Sequence, residues 1–195
     1  MYLNTHSRFS LRYGVLSVDD VLSWAQAGGV TRMALTDVGT TSANWDFVRR
    51  AERFGVAPAL GIDVRNGNAQ RFVALARHAA GYEALCRWYS ELNLTGTPFP
   101  ARLPEAVRAA GVAAIYPWSW WRTACDKGLN DHDEAAAPGT DEWVGVQAWE
   151  VPAVRLARAD RDPKLGPRLL ALSTATFTCK RDWNTHRLLR AIDHN

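Results

Sequence analysis

Residues 32–62 read RMALTDVGTTSANWDFVRRAERFGVAPALGI, and the fold class follows from this segment. The apolar run Arg32–Thr36 is typical of a buried strand, and Ser42–Phe54 repeats apolar residues at helical spacing until Gly55 ends the pattern. A second strand-like run follows at Ala57–Ile62. Strand, helix and strand in this order predict a βαβ unit with two parallel strands.

The same alternation continues on both sides of this unit. A helix is predicted over Ser17–Ala27, because Ser17 and Asp20 have the spacing of an N-terminal cap and Gly28-Gly29 ends the pattern. The remaining predicted strands are Met1–Leu3, Arg71–Ala76, Val112–Tyr116, Trp143–Ala148 and Arg168–Ser173, and the remaining predicted helices are Tyr82–Leu92 and Asp182–Ile192. These runs predict an α/β fold whose parallel sheet closes into a barrel with helices on its outer face. An open doubly wound sheet is the alternative.

The composition indicates one soluble domain. The chain has 195 residues, of which 47% are hydrophobic and 22% charged, with a net charge of +3 that does not by itself require a nucleic-acid partner. A membrane or secreted protein is disfavoured, since no run approaches the roughly 18 apolar residues of a membrane span and the first ten residues lack signal-peptide features. The three cysteines have no paired spacing, which favours a reducing cytoplasm.

Three polar residues follow predicted strands and are candidate metal ligands. They are His6, Asp37 and Asp63, and in a parallel barrel the carboxyl ends of the strands carry the active site. Imidazole nitrogen and carboxylate oxygen both suit a divalent metal ion. Each residue also has a structural interpretation: His6 would cap a loop, Asp37 would close a turn, and Asp63 would pair with Arg65 or Arg71.

Three further segments have weaker functional signals. The acidic stretch Cys125–Glu142 is interpreted as a solvated loop, because its spacing lacks the ordered alternation of a calcium loop. Trp118–Trp121 offers either a stacking platform for single-stranded nucleic acid or, as the more common arrangement, core and interface. The basic stretch Arg155–Arg168 is interpreted as a solvated surface that would alternatively contact phosphates.

Five blocks spread over most of the chain share one resemblance. They are MYLNTHSRFSLRYG, ALTDVGTTSA, PALGIDVRN, RFVALARHAAGYEALCRWYSELNL and DWNTHRLLRAID. In this order they resemble the polymerase and histidinol phosphatase (PHP) domain at the N-terminus of the bacterial DNA polymerase III alpha subunit. The resemblance implies a distorted (β/α)7 TIM-like barrel, in agreement with the alternation of strands and helices.

The resemblance also implies a metal site that this chain keeps only in part. Active members bind a cluster of divalent metals through histidines and carboxylates, beginning with a His-x-His pair. Of these ligands the chain keeps His6, Asp37 and the shorter Asp63, which are predicted to be vestigial and without bound metal.

The remaining ligand positions hold other residues. Asn4 stands at the first histidine of the family, Thr174 and Thr176 stand at its late Asp-x-His pair, and Arg71 stands at the histidine that opens the fourth strand. A guanidinium repels a divalent ion and attracts carboxylates. We therefore expect Arg71 to be the cation that replaces the metal, paired with Asp37 or Asp63.

The functional expectation follows from this resemblance. Residues 1–195 are predicted to form a single PHP domain in the N-terminal part of a cytoplasmic DNA-directed DNA polymerase, with a structural or partner-binding role. The expected partners are the rest of the polymerase chain, a proofreading exonuclease and, through the parent chain, DNA. No cofactor is expected beyond weak residual zinc or manganese. The alternatives are a free-standing metal-dependent phosphoesterase of the same superfamily and a module that binds single-stranded nucleic acid.

Overall fold

The protein is an α/β structure built around a curled sheet. The computed structural model describes residues 1–126 and 138–194. Its strands are β1 Asn4–Thr5, β2 Arg32–Leu35, β3 Ala57–Asn66, β4 Ala69–Ala76, β5 Val112–Pro117, β6 Glu142–Val146, β7 Leu169–Ala171 and β8 Thr174–Ala175. Its helices are α1 Val18–Ala27, α2 Asn44–Ala51, α3 Ala79–Thr95, α4 Glu105–Ala109, α5 Trp118–Asp126, α6 Val151–Leu156 and α7 Lys180–Asp193.

Six strands form one sheet in the order β2-β3-β4-β5-β6-β7, and β1 pairs with β8 in a second, two-stranded sheet. A parallel bridge between Tyr2 and Met33 joins β1 to β2, and the Ala34 amide donates to the Tyr2 carbonyl at 2.8 Å. At the other edge, β7 leads directly into β8 along the chain. The sheet is therefore curled, and the complete seven-unit barrel stays a prediction.

The sheet is mixed, so the prediction of an all-parallel sheet is wrong. Strand β4 runs antiparallel to both β3 and β5, whereas the other pairings are parallel. The reason is the turn at Gly67-Asn68, which joins β3 to β4 as a hairpin with no crossover helix. Gly67 has φ of 58°, a left-handed conformation that glycine adopts without a steric penalty.

The two faces of the sheet bury different apolar clusters. The inner face contains Ala34, Val73, Leu75, Ala113, Ile115 and Leu172. On the outer face, α1 and α2 pack over β2, while α3 and α4 cover β3, β4 and β5. The inner face of the curled sheet thus buries a small apolar cluster.

Several predicted boundaries are confirmed and others are wrong. Helix α1 begins after Ser17, whose side chain and that of Asp20 form the reciprocal capping box. The first strand is not Met1–Leu3 but Asn4–Thr5, since the hydrogen bonds to β8 begin only at Asn4. Within the described residues no helix is both long and apolar enough to cross a bilayer.

The predicted acidic loop lies partly outside the described residues, which omit 127–137. Its last residue, Glu142, corrects that prediction: the side chain is fully buried, and the residue begins β6. Its neighbour Asp141 forms an ion pair of 2.7 Å with Arg77 at the surface. One carboxylate of this acidic segment is therefore buried and not solvated.

Candidate functional site

The predicted site residues His6, Asp37 and Asp63 come together at one edge of the curled sheet. His6 follows β1, Asp37 follows β2 and Asp63 lies in β3, and all three are fully buried. A parallel bridge between Val38 and Asp63 brings the segment after β2 against β3. The sequence prediction that these side chains share one edge is thus correct.

His6 occupies the centre of this edge and uses both of its ring nitrogens. Nε2 lies 3.1 Å from Asp63 Oδ2, and Nδ1 lies 3.0 Å from Thr176 Oγ1. Because an ionised carboxylate only accepts hydrogen bonds, Nε2 carries the proton in this contact. The imidazole therefore has no lone pair directed toward an open position.

Arg65, not Arg71, provides the cation at this site. Its Nη2 donates to Asp63 Oδ2 at 2.7 Å and its Nε donates to the same oxygen at 3.1 Å. The predicted ion pair of Arg71 is wrong, since neither Asp37 nor Asp63 pairs with Arg71 among the contacts of the described residues.

The strand register explains this correction. Val64 pairs with Phe72 but Arg65 pairs with Gln70, which leaves Arg71 as the extra residue of a β-bulge. Arg65 lies two residues after Asp63 on the same strand, so the two side chains share one face. That spacing is the sequence signal for Arg65, which was one of the two candidate partners of Asp63.

The groups around Asp63 favour its ionised form. Burial opposes the charge, but the hydrogen bond with His6 and the charge of Arg65 outweigh it and lower the pKa of Asp63 below its ordinary value of 3.8. The pKa of Arg65 is raised in turn, since the attraction of Asp63 outweighs burial. Asp63 Oδ1 is buried and has no hydrogen-bond partner.

Asp37 is committed to the adjacent loop. Its Oδ1 accepts from the Ser7 amide at 2.6 Å and from the Ser10 hydroxyl at 2.7 Å, and its Oδ2 accepts from the Ser7 hydroxyl at 2.7 Å. The loop folds back closely, because a Cβ on Gly14 would lie 1.7 Å from the Ser7 carbonyl oxygen. Asp37 thus holds the loop after β1, whereas its structural interpretation predicted that it would close its own turn.

The residues at the other implied ligand positions bond to one another. The Asn4 amide donates to Thr174 Oγ1 at 3.0 Å and accepts from Thr36 Oγ1 at 2.8 Å, linking β8 to β2 through β1. Together with the bond between Thr176 and His6, these contacts add side-chain hydrogen bonds to the backbone pairing of the strand ends. Among the described residues, no group of three or more His, Cys, Asp or Glu side chains is placed to hold a metal ion.

Aromatic rings close this edge toward the surface. The Tyr13 ring meets the His6 ring edge-on at 5.0 Å, and the Arg65 guanidinium lies over Tyr13 at 4.6 Å. His186 of α7 donates through Nδ1 to the Tyr13 carbonyl oxygen at 2.7 Å, and Arg190 also lies over the Tyr13 ring. Helix α7 therefore covers the charged cluster without burying any residue of its own.

A second buried carboxylate lies on the outer face of the sheet. Glu142 Oε1 accepts from Tyr116 Oη at 2.9 Å, and Oε2 accepts from the Gly139 amide at 2.8 Å and from Arg102. Burial raises the pKa of Glu142, but the hydrogen bonds from Arg102 and from the Gly139 amide outweigh burial and lower the pKa below its ordinary value. Burial and the charge of Glu142 raise the pKa of Tyr116. Both carboxylate oxygens are satisfied here, unlike those of Asp63.

The tryptophan segment does not form a stacking platform. Trp118 and Trp121, at the start of α5, are 4% and 2% exposed and belong to the core beneath α3 and α4. The core interpretation of these residues is confirmed. The cations of the 155–168 stretch lie mainly at the surface, as expected of a solvated segment.

Comparison with known proteins finds one matching family. The family described as PHP domain matches residues 3–128. An error-prone DNA polymerase of Symbiobacterium thermophilum is 27% identical over 164 residues, which cover 82% of this chain and 14% of that protein. The DNA polymerase III alpha subunit of Ureaplasma parvum is 32% identical over 88 residues, which cover 45% of this chain and 9% of the relative. The chain thus spans only a small part of these polymerases.

A solved structure with a similar fold is an amidohydrolase of Chromobacterium violaceum, determined with bound sulfate and without metal. The two folds superpose with a TM-score of 0.52 over 96% of each chain, at 15% sequence identity. At this identity the similarity concerns the fold alone.

Proposed function

We propose, on the premise that this chain belongs to the PHP domain family, that it is a structural PHP domain of a DNA polymerase III alpha-type chain. In this proposal, residues 1–195 form one distorted (β/α)7 barrel in the N-terminal part of that polymerase. Nucleotide transfer would be carried out by other parts of the parent chain, since the matched region is a small fraction of each polymerase relative. The domain would stabilise the polymerase body and contact a proofreading exonuclease.

The observation that supports a structural role is the hydrogen-bonding of the candidate ligands. Both nitrogens of His6, both oxygens of Asp37 and one oxygen of Asp63 are already bonded to protein groups. A divalent metal needs several free donor atoms, and catalysis also needs an open coordination position for water. Among the ring nitrogens and carboxylate oxygens of these three residues, only Asp63 Oδ1 has no hydrogen-bond partner. The other oxygen, Oδ2, is bonded to the Arg65 guanidinium.

The donor set therefore does not fit the metal cluster that the family implies. A divalent cation could approach Asp63 only after the Arg65 side chain had moved away. Two positive charges beside one buried carboxylate repel each other. In our proposal the guanidinium supplies the positive charge that holds these strand ends together. No hydrolytic step is assigned to the domain.

The test is metal content together with phosphoesterase activity. We expect the purified chain, incubated with excess zinc or manganese and dialysed, to retain less than about one equivalent by elemental analysis. Hydrolysis of a nitrophenyl phosphate should equal that of the His6→Ala variant. Stoichiometric metal that disappears in His6→Ala, together with activity abolished by a chelator, would contradict the structural role.

The polymerase assignment needs a separate measurement. The full native chain, expressed with everything that its reading frame contains, should extend a primer on a DNA template. Primer extension that persists after His6→Ala is the expected result for a domain without catalytic metal. A native reading frame that yields no templated synthesis would contradict the assignment to a polymerase chain.

A further inference from the structure

We propose that the outer face of α7 is a binding surface for single-stranded nucleic acid, with Trp183 as its stacking residue. This proposal goes beyond the polymerase assignment and does not depend on it. It rests on the exposed aromatic side chains and the exposed cations that α7 and the preceding segment bring together.

The aromatic component is a pair of exposed rings. Phe177 and Trp183 are each 41% exposed, and their ring centroids lie 5.0 Å apart. Trp183 also stacks on His186 at 6.0 Å with an angle of 20° between the rings, so the indole is supported from beneath. A supported and exposed indole is suited to stacking on a base, since every nucleobase has a π-face.

The cations lie on the same stripe of the helix. Lys180, Trp183 and Arg187 are spaced i, i+3 and i+7, which places them on one face. Both cations are exposed, and neither forms an ion pair with any described residue. They lie about 10 Å apart along the helix axis, with Trp183 between them.

The two acidic residues of α7 do not neutralise this stripe. Asp182 accepts from the Thr178 hydroxyl at 2.8 Å and caps the start of the helix. Asp193 pairs with Arg190 and Arg12 on the side that faces the rest of the molecule. The face that remains presents positive charge around an aromatic ring, which is complementary to a chain of phosphates and bases.

Another exposed tryptophan serves as a comparison for the α7 surface. Trp149 is 75% exposed, and its neighbour along the chain is Glu150. Exposed tryptophan is therefore also present away from α7, here beside an acidic neighbour. If simple aromatic exposure were sufficient, both surfaces would bind.

The experiment is a fluorescence anisotropy titration of the chain with a labelled oligo(dT) of about 16 nucleotides, between about 50 and 200 mM salt. We expect Trp183→Ala to weaken binding roughly fivefold or more, and Trp183→Phe to restore most of the affinity. Lys180→Ala and Arg187→Ala should each weaken binding and reduce the slope of log affinity against log salt by about 0.7. An oligo(U) arm distinguishes DNA from RNA as the preferred strand.

The matched controls are Trp149→Ala and Arg155→Ala, which should leave the affinity unchanged within about twofold. Circular dichroism of each variant shows whether the fold is intact. If Trp183→Ala unfolds the chain, Arg187→Ala still tests the α7 surface, because Arg187 is exposed. The proposal is overturned if the chain binds neither oligonucleotide at low salt. It is also overturned if α7 variants bind as the parent does, or if the control variants lose as much affinity.

Discussion

Asp63 and Glu142 are both buried carboxylates bonded to arginine, yet their surroundings differ. Glu142 binds Arg102, Tyr116 and the Gly139 amide, and neither of its oxygens is left without a partner. Asp63 receives all of its bonds on Oδ2, from His6 and Arg65, while Oδ1 has none. Buried polar atoms without partners are uncommon, and each one calls for an explanation.

The two carboxylates also lie in different parts of the fold. The Glu142 cluster lies on the outer face of the sheet, where both carboxylate oxygens have partners. The Asp63 cluster lies at one edge of the sheet, and one of the two oxygens of Asp63 has no hydrogen-bond partner there. The unpartnered oxygen therefore distinguishes the Asp63 site from the Glu142 contact.

The largest effect is expected from Arg65→Ala. The change leaves Asp63 buried and charged without its cation, which costs about 3–5 kcal/mol in the free energy of unfolding. Arg71→Ala is the matched control, because Arg71 lies on the neighbouring strand and makes no ion pair with Asp63 or Asp37. Urea denaturation of both variants measures the difference, and a larger loss in Arg71→Ala would show that the assignment of the cation is wrong.

A smaller effect is expected from Arg102→Ala. Glu142 would keep its bonds from Tyr116 and Gly139 and the more distant Arg108, so we expect a loss of about 2 kcal/mol in the free energy of unfolding. Arg77→Ala, which breaks a pair at the surface, should cost under about 1 kcal/mol. Equal denaturation midpoints for Arg102→Ala and Arg77→Ala would remove the distinction between the buried and the exposed pair.

The smallest effect is a difference in the pH dependence of stability. A lowered pKa in the folded state means that Asp63 stabilises the fold above its ordinary pKa of 3.8, and that this contribution is lost as the pH falls through the lower folded value. Glu142, whose pKa is also lowered, acts in the same direction. Asp63→Asn should therefore lose stability less steeply than the parent in acid denaturation below about pH 4. A parallel decline would contradict the lowered pKa of Asp63.

Much of the fold could be predicted from local patterns. Ser17 and Asp20 define the start of α1, and the apolar run at residues 32–35 gives β2, because these signals act over a few residues. The antiparallel direction of β4 was missed even though Gly67-Asn68 is a hairpin signal, since a pattern of alternating strands and helices favours parallel pairing. Helix α5 was missed because its aromatic residues are buried by distant segments.

The site could be predicted only in part. The grouping of His6, Asp37 and Asp63 follows from their positions after strands, which is visible in the sequence. The choice between Arg65 and Arg71 depends on a β-bulge, and a bulge is set by the pairing of two strands rather than by either one. The hydrogen bonds of Asp37 depend in the same way on how the loop after β1 folds back.

The most direct test of the central claim is a double-mutant cycle between Arg65 and Asp63, measured by urea denaturation in the presence of a chelator. Arg65→Ala, Asp63→Asn and the double variant should give a coupling free energy of about 1.5 kcal/mol or more, because the two groups are in contact. The parallel cycle between Arg71 and Asp63 should give a coupling within about 0.5 kcal/mol of zero. A negligible coupling of Arg65 to Asp63, or an equal coupling of Arg71, would contradict the account that Arg65 replaces the metal.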